Sequence, residues 1–122
     1  MSAEVDAYIA ALPPDQRDAL TTLRARLKAL LPDHLEVMSY AMPGLFQPGP
    51  KGKMVVGYAA FSRHLGLYPH SGTVIPQIDC TPFKTSKSGV LFTPECALPD
   101  ALLKRIIETR QAELHAGYGR KA

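Results

Sequence analysis

Glu36-Val-Met-Ser-Tyr-Ala-Met-Pro-Gly-Leu-Phe46 changes the period of the chain. Val37, Ser39 and Ala41 alternate with Met38, Tyr40 and Met42, a period of two that predicts a strand running past Pro43 to Phe46. Gln47-Pro-Gly-Pro-Lys-Gly-Lys53 then concentrates turn residues, and Met54 to Phe61 is a β-branched and aromatic run. The two runs predict a long hairpin. Ser62-Arg63 closes a tight turn into His64-Leu-Gly-Leu-Tyr68, where Leu65 and Leu67 share a face and Pro69 stops the strand.

On the amino-terminal side the period is helical. Val5, Tyr8, Ile9 and Leu12 form one apolar stripe that Pro13-Pro14 must end. Pro14 suits the first turn of a second helix, where Asp15 and Asp18 match the helix dipole and Leu20, Leu23, Leu27, Leu30 and Leu31 recur at helical spacing up to Pro32. On the carboxyl-terminal side, residues 70–88 are too long for a structureless connection, so a short helix or turn is expected near Thr73 to Asp79. Gly89 to Thr93 predicts a last short strand. Pro99-Asp100 opens a helix with the stripe Leu102, Leu103, Ile106, Ile107 and Leu114, and a frayed tail is expected from Ala116. The order predicts an α+β fold: a mostly antiparallel sheet of four to five strands with the amino- and carboxyl-terminal helices packed on one face.

Composition agrees with a single domain over residues 1–122. The chain is 46% hydrophobic and 20% charged, without a run long enough to cross a bilayer or the basic and apolar regions of a signal peptide, so a cytoplasmic location is expected. The net charge of +3 is unevenly spread. Residues 1–36 sum to −2 and residues 37–94 to +4, but the bases are scattered and no aromatic side chains interleave with them, which argues against nucleic acid as a partner.

No motif at fixed spacing names a reaction. There is no phosphate-cradling Gly loop, Cys-x-x-Cys, nucleophile elbow or His-Glu-x-x-His, although a triad assembled in space would leave no such trace. His64, which opens a strand, is the histidine to mutate first if an enzyme is sought. A thiolate-imidazole zinc site would have to gather Cys80, Cys96, His64 and His70, whose spacing follows no zinc pattern. Asp15 and Asp18, three apart, could face a hard cation together, but both also suit a helix start. Lys84-Thr-Ser-Lys-Ser-Gly89 offers two lysines and three hydroxyls for a phosphate or carboxylate. Tyr40, Met42, Tyr68 and Phe92 could line an apolar pocket or fill the core.

Four segments taken together resemble a known family: Glu36-Val-Met-Ser-Tyr-Ala-Met-Pro43, Ala60-Phe-Ser-Arg-His-Leu-Gly-Leu-Tyr-Pro69, Lys84-Thr-Ser-Lys-Ser-Gly-Val-Leu-Phe92, and Leu98-Pro99 with the helix through Arg110. They are similar to the YdhG-like family of small bacterial domains, domain of unknown function 1801, and Tyr8-Ile-Ala-Ala-Leu-Pro13 also fits. The match runs from about Val5 to Leu114. The resemblance implies the α+β sandwich already expected from periodicity. It also implies, for some members, a frataxin-like role as iron chaperones. That role is associated with an acidic surface, whereas this chain is net basic and carries only four acids, Glu4, Asp6, Asp15 and Asp18, in its first two helices.

The resulting expectation is a non-enzymatic binding or accessory domain for a small anionic ligand or a protein partner. Its surface comprises Tyr40, Met42, Pro43, Tyr68, Lys84, Ser86 and Lys87. The alternative is a frataxin-like chaperone that binds ferrous iron through carboxylates, with Asp15 and Asp18 as candidate ligands. No other cofactor is expected. An apolar sheet face left open would favour a homodimer.

Overall fold

A computed structural model describes residues 2–86 and 88–116. Helix α1 (Ala3–Ala10) starts at Ser2, whose Oγ accepts the Val5 amide at 3.2 Å. Helix α2 (Pro14–Leu30) uses Pro14 at its first position, where a missing N–H costs nothing. Helix α3 (Asp100–His115) follows Pro99. Between them lie six strands, β1 (Leu35–Ser39), β2 (Met42–Phe46), β3 (Met54–Ala60), β4 (Leu65–Tyr68), β5 (Lys84–Thr85) and β6 (Val90–Phe92). They form one antiparallel sheet in the order β1-β2-β3-β4-β6-β5. The α+β class and the helical layer follow the expectation.

Three local details differ from it. The single strand expected from Glu36 to Phe46 is a hairpin, because Tyr40 and Ala41 adopt left-handed backbone (φ 53° and 60°) and turn the chain in two residues. Neither residue is the Gly or Asn that announces such a turn, so the period-two pattern ran through it unbroken. The sheet has six strands rather than four to five, since Lys84–Thr85 adds a two-residue edge strand against β6. Residues 75–77 form one 3-10 turn, as expected for that stretch. The frayed tail expected from Ala116 lies, past that residue, outside the described residues.

Pairing register sorts the strand residues onto two faces. Glu36, Met38, Leu45, Val56, Tyr58, Leu65, Leu67, Val90 and Phe92 point toward the helices, and the seven from Leu45 onward are all buried. They meet Val5 and Ile9 of α1, Leu20, Leu23 and Leu27 of α2, and Leu103, Ile106 and Ile107 of α3 in one apolar cluster. Polar contacts fix the layer. Glu36 accepts Arg24 Nε at 2.7 Å and the Ser2 amide at 3.0 Å, and Arg24 also bonds Asp6, so one carboxylate ties α1 and α2 to β1. The Tyr8 hydroxyl accepts the Ala60 amide at 2.9 Å, and Gln16 Nε2 donates to the Phe61 carbonyl at 2.7 Å.

Between β2 and β3 the register slips: Leu45 faces Val56 but Phe46 faces Met54. Val55 is therefore the extra residue of a bulge, and Met54 returns to the face away from the helices. No helix among the described residues is long and apolar enough to cross a membrane.

Candidate functional site

The face opposite the helices has an unusual floor. Register places Gly44 beside Gly57, Gly57 beside Tyr68, and Gly66 beside Leu91, and Gly89 continues the row beside Tyr68. A Cβ at Gly89 would meet Tyr68 Cδ1 and Cε1 at 2.4 Å, and one at Gly66 would meet the Tyr68 hydroxyl at 2.3 Å. The Tyr68 ring therefore lies flat across β4 and β6, in space that only glycine leaves. Met54 Cε covers the corresponding positions of Gly44 and Gly57 (2.4 and 2.5 Å), with Met42 Sδ 3.0 Å from the latter. The sheet roofs this side with its own methionines and tyrosine, where the other side uses helices.

What remains outside this cover is apolar and basic. Leu35 (52% exposed) and Val37 (40%) lie on this face of edge strand β1, Tyr40 (74%) at its turn, and Phe61 (41%) just past β3. Phe61 stands edge-on to Tyr68 with ring centroids 6.5 Å apart. Lys84 pairs with Leu91, and the Ser86 amide donates to the Gly89 carbonyl at 2.9 Å, so both belong to this face, two strands or about 10 Å from Tyr68. Among the described strand residues on this side, Lys84 carries the only charge. Burial pushes the Tyr68 phenol up, with Tyr8 adding to the effect, so the ring stays neutral.

Of the expected surface, the fold thus places Met42, Tyr68, Lys84 and Ser86 on one face, with Met42 four strands from Lys84, and leaves Tyr40 at one end, its ring tilted against His70 at 5.2 Å. Pro43 pairs with Met38, is buried, and turns toward the helices instead. Lys87 lies outside the described residues. The glycine row was not singled out in the sequence, although a Gly inside a strand pattern is a signal of close approach.

Asp15 and Asp18 share a shallow hollow with Arg26 and Glu95, and Asp15 Oδ1 accepts the Gln16 amide at 2.8 Å as a helix-start contact. No group of three or more His, Cys, Asp or Glu among the described residues is placed to hold a metal ion. Cys80 is buried and Cys96 exposed, both as free thiols. His64 is a turn residue: its carbonyl accepts the Phe61 amide at 2.8 Å and its ring tilts against Phe61 at 4.9 Å. Among the described residues no Ser, Thr or Cys side chain is hydrogen-bonded to a histidine.

No family model matches the chain, and no curated protein does. The fold is similar to the crystal structure of a protein of the DUF1801 family, YdhG, from Bacillus subtilis, with a TM-score of 0.80 over 96% of this chain and 97% of that one. Sequence identity is 14%, so the likeness is one of fold.

Proposed function

We propose that this chain, which shares the fold of the DUF1801 protein YdhG, is a non-enzymatic binding domain that takes a small amphipathic anion on its helix-free sheet face. The observation that carries the reading is the glycine row with Tyr68 laid over it, next to exposed apolar side chains and with Lys84 and Ser86 at the far edge. A flat apolar body would pack on the Tyr68 side of β6 while a carboxylate or phosphate meets Lys84 and the Ser86 hydroxyl. Burying such a body removes apolar area from water, and the absence of acids from these described strand positions makes an anion the better-matched charge.

A thermal-shift series tests this with benzoate, octanoate and phenyl phosphate, because a ligand that binds only the folded chain raises its Tm. The expected result is a concentration-dependent rise that Lys84→Ala reduces. A rise untouched by Lys84→Ala, or no rise with any probe, overturns the reading. The iron alternative has weaker support, since Asp15 and Asp18 stand beside Arg26. Its arm of the experiment is anaerobic ferrous iron, with a Tm rise abolished by Asp15→Asn with Asp18→Asn as the supporting outcome. A homodimer through the open edge of β1 would instead appear in sedimentation as a mass that Val37→Lys halves.

A further inference from the structure

A buried guanidinium on α3 makes no ion pair among the described residues, although the Glu113 carboxylate is nearby. Arg110 is 7% exposed and commits one Nη2–H to the Met54 carbonyl at 2.8 Å. Its Nε is buried without a hydrogen-bond partner, and it forms no ion pair among the described residues. Burial lowers its pKa and nearby Glu113 opposes the change, but a guanidinium stays charged at any ordinary pH. A buried charge with an N–H donor left unpaired is costly unless an acceptor is supplied.

Arg110 opens on a hollow of about 400 Å³ whose wall also carries Lys53, His70, Ser71, Thr73 and Glu113. Glu113, equally buried, is already engaged: Oε1 accepts Ser71 Oγ at 2.9 Å, and Oε2 accepts Thr73 Oγ1 at 2.6 Å and Gln77 Nε2 at 3.0 Å. These three neutral donors hold the carboxylate against the segment after β4 and leave the hollow's cations unpaired. His70 is held there in left-handed backbone (φ 58°), its ring tilted against Tyr40.

We propose that this hollow is a binding site for a small oxyanion, a phosphate or a carboxylate, which accepts hydrogen bonds from the Arg110 guanidinium and shares its charge with Lys53. The guanidinium supplies charge-assisted donors from the Nη atoms not spent on the Met54 carbonyl, and the lysine ammonium supplies a point charge at the mouth. This site stands on α3 and the loop after β4, and it does not depend on the reading of the sheet face.

The test monitors the Arg110 Nε–H resonance of the intact ¹⁵N-labelled chain during titration with inorganic phosphate, with acetate, and with sodium chloride at matched ionic strength. The expected result is a saturable shift with phosphate, acetate or both and none with chloride. Lys53→Met should weaken the apparent Kd about tenfold, the loss of one charge-assisted contact. Lys53 is exposed, so this variant keeps the fold, whereas Arg110→Met would remove both the probe and a buried contact. Lys84→Ala should leave the titration unchanged. The proposal is overturned by the absence of a saturable shift, by an equal shift with chloride, by unchanged affinity in Lys53→Met, or by loss of binding in Lys84→Ala, which would assign the anion to the sheet face.

Discussion

The two faces of this sheet are made by the same strands and filled in opposite ways. Toward the helices, Leu45, Val56, Tyr58, Leu65, Leu67, Val90 and Phe92 are at most 5% exposed and interlock with a separate layer. On the other side, the matching alternate positions include Gly44, Gly57, Gly66 and Gly89, and the space above them is taken by Met42, Met54 and Tyr68 from the sheet itself. Period two thus sets which residues share a face but not how that face is closed. One face is closed by a second layer, and the other by long side chains lying flat on glycine.

Substitutions on each face should separate the two kinds of closure. Leu67→Ala, at a fully buried position against the helices, should cost about 2–5 kcal/mol in urea unfolding, because a rigid second layer leaves a cavity behind. Gly89→Ala should cost about 1–3 kcal/mol by forcing the Tyr68 ring off its shelf. The double variant Tyr68→Ala with Gly89→Ala should lose less than the sum of the single variants, since removing the ring removes the clash; full additivity in that cycle would disprove the shelf.

The ionic tie at β1 adds a pH dependence to the helix-covered side alone. Burial alone would raise the Glu36 pKa, but hydrogen bonds from Arg24 and the Ser2 amide, with the nearby Arg24 and Lys28 charges, hold it below the ordinary glutamate value. A lowered folded pKa means that this stabilisation is complete above the unfolded glutamate range and is lost as pH falls through the folded value. Urea midpoints measured from neutral into the acid range should therefore fall, and Glu36→Gln should remove that part of the slope. The smallest effect is expected on the open side of the same strand: Val37→Lys, at 40% exposure, should change stability by no more than about 0.5 kcal/mol by the same measurement.

Much of the architecture was legible because it rests on local signals. The leucine stripe of α2 and the Pro14 start, the Leu103–Leu114 stripe of α3, and the turn-rich Gln47–Lys53 segment each carry their own evidence within a few residues. The β1–β2 turn was not legible, since Tyr40 and Ala41 take positive φ without a residue type that favours it. That omission had a consequence at the candidate site. A two-residue turn inverts the parity of the next strand, so Met42 shares a face with Ser39 rather than with Met38, and Pro43 goes to the helix side. Of the remaining expected residues, Met42, Tyr68, Lys84 and Ser86 do share a face, which depends on a strand order that places β6 between β4 and β5.

The class of each long element, the ends of the helices and the basic character of the middle third could be read along the chain, because these depend on neighbours a few residues apart. The alignment of glycines from separate strands into one floor, the placing of Tyr68 across it, and the burial of Arg110 with its Nε unpartnered arise only in the folded chain. Those outcomes depend on pairing between segments tens of residues apart. The free energy that selects the pairing is the burial of the whole helix-facing layer, to which no single segment's pattern refers.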